Sequence, residues 1–131
     1  MDGGFDHERL EVYRRALTLG VTFDRIVPKR GQAVLRDQID RASGSVVLCI
    51  AEGAGRRTPS EKRNFYSMAR GSATECAAAL DLLCARRVLP DATHATIRNE
   101  LLIIVRMLSR LSDAGGPPAP IDAKAKPPPK P

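Results

Sequence analysis

The chain has no tryptophan, two tyrosines and three phenylalanines. A surface that stacks unpaired bases needs several exposed rings, so stacking is excluded as its main way of holding nucleic acid. No apolar run reaches the roughly 18 residues of a membrane span. The opening Met1-Asp2-Gly3-Gly4-Phe5-Asp6-His7-Glu8 is acidic and lacks an apolar core, which argues against a signal peptide. Histidine is scarce too. His7 and His94 stand alone, and neither completes the Glu-x-x-His pair of a di-iron bundle. Cys49, Cys76 and Cys84 lack zinc-knuckle spacing, and their odd number argues for reduced thiols in a cytoplasmic protein. No metal and no cofactor is expected.

Catalytic constellations are equally thin. Cys49 lies in an apolar run without a sequence-evident histidine partner. Gly53-Ala54-Gly55 follows a helical pattern rather than a strand and carries no Gly-Lys-Ser, so it is no phosphate loop. Glu52 and Glu75 would make an acid/base pair only if the fold joined them, and nothing in the sequence does so. The expectation is a protein that is not an enzyme.

What the chain does have is helical periodicity and positive charge. Its 131 residues make one domain. Seven of the ten prolines fall after residue 116, and residues 114–131 read as a disordered Pro/Lys-rich tail starting near Asp113. That tail is an inert spacer, a PxxP-like ligand or an RNA-touching arm. Within a bundle domain of residues 1–113, Pro28, Pro59 and Pro90 divide residues 5–113 into four helical segments, at about 6–27, 32–54, 59–87 and 91–112. Asp6 reads as the first N-cap, with Phe5 and Leu10 as its hydrophobic staple. Thr58-Pro59-Ser60-Glu61 is a capping box with proline at the first helical position. Short loops between such helices predict an all-α, antiparallel up-down-up-down four-helix bundle.

Two features point past a simple core. The fourth segment contains Leu101-Leu102-Ile103-Ile104-Val105. Ile97, Leu101, Ile104 and Leu108 fill one stripe, which leaves Leu102, Ile103 and Val105 for a subunit interface. The third stripe is read as Phe65, Met68/Ala69, Ser72, Cys76, Ala79/Leu80 and Leu83, with Gly71 marking a close helix approach. On the second helix Arg41, Ser45, Leu48 and Glu52 share a flank, which is either an interface network around Arg41 and Glu52 or a solvated face.

Lysine and arginine outnumber aspartate and glutamate by 21 to 15, giving a net charge of +6 that suits an acidic partner. Arg56, Arg57, Lys62 and Arg63 crowd the second turn, opposed only by Glu61. Lys29, Arg30, Arg86 and Arg87 fall at the first and third turns, which an up-down-up-down bundle brings to one end. Both sets are candidate phosphate contacts of the kind that position a backbone without reading sequence.

Gln38, Arg41, Ala42, Ser45, Ile50, Ala51, Glu52 and Gly53, followed by Phe65, Ala69, Gly71, Ser72 and Glu75, carry a resemblance. The two stretches resemble the Q-x-x-R-A-x-x-S-I-x-x-N-I-A-E-G and F-x-x-x-A-x-G-S-x-x-E patterns of a bacterial four-helix-bundle family. These are the 23S rRNA intervening-sequence proteins, a family that includes the accessory variability protein of diversity-generating retroelements. Leu10 to Ala16 is similar to the family's first helix. Cys49 stands where the pattern has asparagine, and Val46 where it has isoleucine. The resemblance implies a homopentameric ring and, in the retroelement branch, binding to a reverse transcriptase and to nucleic acid. It implies no catalysis. The expected function is an oligomeric scaffold for RNA or a ribonucleoprotein. The alternative is a protein-only assembly module whose charge serves solubility.

Overall fold

The structure, a computed structural model, describes residues 3–28 and 30–114. Helices α1 (Glu11–Ile26), α2 (Ala33–Gly55), α3 (Pro59–Ala85) and α4 (Asp91–Ala114) follow a 3₁₀ turn at Asp6–Arg9. Each helix packs on its neighbours in chain order, and α4 closes back onto α1. The predicted four-helix bundle is therefore the observed one, and no strand occurs among the described residues.

The core is a continuous aliphatic column with Phe23, Ile39, Ile50, Leu80, Leu83, Ile104 and Leu108 almost fully excluded from solvent. The stripe expected on α4, Ile97, Leu101, Ile104 and Leu108, lies in it. That on α3 is rotated in its first half. Tyr66, Ala69 and Ala73 point inward, while Phe65 and Ser72 are half-buried and Met68 is exposed. The cause is Gly53. A Cβ there would lie 2.9 Å from the Tyr66 ring and 3.1 Å from Phe65 Cβ. The missing side chain gives Tyr66 its place in the core. Gly71, expected at a close approach, is instead exposed, and a Cβ there would meet nothing within 4 Å.

Helix boundaries follow local chemistry. Thr58 Oγ1 accepts from the Glu61 amide at 3.1 Å, so the predicted α3 cap forms. Helix α3 closes on a Schellman motif. Val88 N–H donates to Leu83 O, Arg87 N–H donates to Cys84 O, and Arg87 takes the left-handed φ of 65° usually filled by glycine. The expected Asp6 start is displaced. Asp6–Arg9 makes only a 3₁₀ turn, and Leu10 is extended before α1 begins. That break folds the turn across α2 rather than past the end of the bundle, and exposed Phe5 makes no staple. Helix α4 runs through Asp113 to Ala114, slightly beyond its expected end. The rest of the proposed tail lies outside the described residues.

Arg36 is the buried charge of the fold. Its Nη1 donates to Val27 O at 2.5 Å, Nη2 to Asp24 at 2.8 Å and Nε to Asp40 at 3.3 Å. One guanidinium thus closes the C-terminal end of α1 and ties it to α2. Charged hydrogen bonds of this kind contribute about 1.5–3 kcal/mol each when a partner is removed. Arg36→Met should therefore lower unfolding free energy by about 2–3 kcal/mol in urea denaturation. A loss below about 0.5 kcal/mol would show that water replaces the guanidinium without penalty.

Candidate nucleic-acid interface

The two stretches that carry the family pattern meet on the outer seam between α2 and α3. Gln38 donates to the Glu75 carboxylate, and Arg41 Nη2 donates to Gln38 Oε1 at 3.2 Å. Ser72 Oγ donates to Ser45 Oγ at 2.9 Å, with Cys49 Sγ 3.7 Å from Ser45 Oγ. Glu52 pairs with Arg56, whose guanidinium lies 4.8 Å from the Phe65 ring centroid. The result is a ladder of side chains along an exposed seam. Its two carboxylates stay apart. Glu75 joins Gln38, which stands about four turns or ~20 Å along α2 from Glu52.

The basic residues of the second turn divide by role. Lys62 Nζ donates to Gly53 O at 3.3 Å and Ala54 O at 3.0 Å, closing the C-terminal end of α2. Arg56 is held by Glu52 and Phe65. Arg57 is exposed and has no carboxylate partner among the described residues. Arg63 is half-buried and lies toward α4 in a polar groove. Glu52 and Glu61 line the same 750 Å³ hollow as Arg56 and Arg57. Positive charge at this end is therefore locally offset.

The first and third turns do share the opposite end, since Arg86 Nη1 donates to Gln32 Oε1 at 3.1 Å. Arg30 and Arg87 are exposed there. Lys29 lies outside the described residues.

The outward side of α4 differs from that of α1 and α2. Leu102, Ile103 and Val105 are all half-buried, and Val105 packs on the core. Larger apolar exposure lies on Leu17, Val21 and Leu48, at 43%, 54% and 70% of their surfaces. These three line one shallow groove with Gly20, Gly44 and Val47. Arg41 and Glu52 are exposed on α2 and do not line this groove.

The thiols face different surroundings. Burial first, and the charge of Glu75 second, push the Cys76 thiol from an ordinary 9.0 up to about 12. A hydrogen bond to Asp91 at 3.3 Å is the first cause that raises Cys84. Neither is an activated thiolate. His94 Nε2 meets Asp81 Oδ1 at 2.7 Å. No group of three or more His, Cys, Asp or Glu side chains able to hold a metal comes together among the described residues. No helix there is long and apolar enough to cross a membrane.

A polar groove between α3 and α4 was not singled out by sequence. Ser60, Arg63, Asn64, Ser67 and Arg70 line its α3 wall, and Ser109, Ser112 and Asp113 its α4 wall. The α3 half was legible as a polar stripe at three- and four-residue spacing. Its α4 half depends on how the two helices meet.

By its helix order and packing the chain falls in the all-α four-helix-bundle class. The 23S rRNA-intervening sequence protein family model matches residues 8–110, and the chain belongs to that family. It is also similar to a crystal structure from Bacteroides thetaiotaomicron, a protein of unknown function from the S23 ribosomal protein family. The two share 21% identity over 78% of this chain and 95% of that one, with a TM-score of 0.72. Among functionally curated proteins, none matches the chain.

Two tests probe this site's framework. Gly53→Ala should cost about 1–3 kcal/mol by overpacking Tyr66, whereas Gly71→Ala should be neutral or gain up to about 1 kcal/mol. Equal melting temperatures for the two variants would refute the close approach at Gly53. Between pH 9 and 12 the unfolded chain has released the Cys76 proton and the folded chain retains it, so stability falls as pH rises. Cys76→Ala should remove up to about 1.4 kcal/mol per pH unit of that decline. Parallel pH profiles for the two proteins would mean that the thiol ionises as freely folded as unfolded.

Proposed function

We propose that this protein is a non-catalytic, oligomeric scaffold that binds RNA or a ribonucleoprotein through its basic surface. The observation that carries the reading is the unneutralised arginine. Internal ion pairs engage Arg14, Arg15, Arg36 and Arg56. Arg30, Arg57, Arg63, Arg70, Arg87, Arg106 and Arg110 have no carboxylate partner among the described residues. Guanidinium groups presented this way bind phosphate in preference to any neutral surface.

Arg57, Arg30 and Arg87 are the exposed contacts of the two ends, with Arg56 and Arg86 beside them. Lys62 acts through the α2 terminus. The Leu17, Val21 and Leu48 face supports self-association into a ring, and the exposed Arg41 and Glu52 on α2 are further candidate subunit contacts. Leu102 and Ile103 offer a second subunit contact. A pentamer and a reverse-transcriptase partner belong to this reading through the family resemblance. The free thiols support a cytoplasmic setting.

The same apolar face favours the second reading, a protein-only module that docks a protein partner. Fluorescence anisotropy with a labelled RNA hairpin separates the two. The scaffold reading expects affinity to fall linearly with salt on logarithmic axes, by about 0.7–0.9 per phosphate engaged. Arg57→Glu should weaken binding at least several-fold without changing assembly mass. No binding at low salt would contradict the scaffold and leave the protein-only module.

A further inference from the structure

We propose that the groove between the first half of α3 and the last turns of α4 seats one phosphodiester of an RNA backbone. This rests on the RNA-binding reading above and gives it a specific site. The groove holds about 580 Å³. Arg63 Nη1 and Ser112 Oγ are both buried and have no hydrogen-bond partner among the described residues. Native structures seldom leave such groups unpaired, and a buried charged donor least of all. Arg63 and Ser112 both line one groove, so a rotation of each side chain would turn these atoms toward a ligand seated in it. An acceptor-rich ligand there would satisfy them together.

The other lining groups define that ligand. Arg70 adds a second guanidinium, and Ser67 and Ser109 add hydroxyls from facing helices. Guanidinium forks with hydroxyl donors match phosphate oxygens. No aromatic ring lines the groove, so it has no platform for a base. The contact therefore holds the strand's backbone and carries no sequence information. Charge then selects the type of phosphate. Arg63 and Arg70 supply two positive charges, and Asp113 at the α4 end supplies one negative charge. The net single positive charge matches a phosphodiester monoanion. A free phosphate dianion would meet the Asp113 carboxylate and the negative end of the α4 dipole.

The test uses the full chain and a fluorescein-labelled RNA hairpin in anisotropy titrations. Arg70→Gln and Ser109→Ala are the variants, since Arg70 is exposed and the Ser109 hydroxyl makes no hydrogen bond among the described residues that its loss would break. Unchanged melting temperatures check that both fold as wild type. Arg70→Gln should weaken binding about tenfold and make the logarithmic salt slope shallower by about 0.7–0.9, the signature of one lost phosphate. Ser109→Ala should weaken binding by a smaller factor with the slope unchanged. Dimethyl phosphate should displace the RNA at lower concentration than inorganic phosphate does. If wild type binds RNA and both variants match it in affinity and slope, the seat is overturned while RNA binding stands. If inorganic phosphate competes better than dimethyl phosphate, the site takes a free dianion and the phosphodiester assignment fails. If wild type binds no RNA at low salt, the RNA-binding reading itself fails, and this seat with it.

Discussion

The close approach of α2 and α3 at Tyr66 depends on the absence of a side chain at position 53. Tyr66 fills the space beside Gly53, and the fully buried Ala69 and Ala73 keep α3 close to the core along its next two turns. Van der Waals contact at this range tolerates little added volume. The approach sets the register of the pair, and the register aligns Gln38 with Glu75 and Ser45 with Ser72. It also places Lys62 over the exposed carbonyls at the end of α2. Much of the family pattern is thus a description of one helix–helix contact.

That contact also sorts the basic residues. Lys62 is committed to the α2 terminus and Arg56 to Glu52 and Phe65, so neither is free to act as a simple surface charge. Arg57 is left pointing to solvent. Arg63, on another side of α3, faces α4. A cluster that is uniform in sequence becomes structural caps at one position and presented charge at another. Arg36 makes the same point inside the fold, where an arginine serves to close a helix end.

Element order, bundle topology and the extents of α2, α3 and α4 were legible because each follows from local signals, the three internal prolines and the Thr58 cap among them; the start of α1 was not. The inward face of α3 was not. Phe65 and Met68 are as apolar as Tyr66 and Ala69, and only the partner's Gly53 decides which pair turns in. Gly71 misled for a related reason. Glycine in a helix can mark a close approach, but the sequence does not say which glycine has a neighbour. The burial of Arg36 was invisible since two of its three partners, Asp24 and Val27 O, come from α1 and its C-cap, and only Asp40 lies on its own helix. The candidate phosphate contacts were legible as charge, and their division into caps, pairs and free groups was not. The half-buried state of Leu102, Ile103 and Val105 likewise depends on how α3 and α1 flank α4.

The central claim is that this bundle assembles and carries RNA on its unneutralised arginines. Native mass spectrometry of the full chain, with and without an RNA hairpin, tests it most directly. The account predicts a homo-oligomer that gains the mass of bound RNA and loses it as salt is raised. A monomer, or an oligomer that never gains RNA mass at low salt, would contradict it.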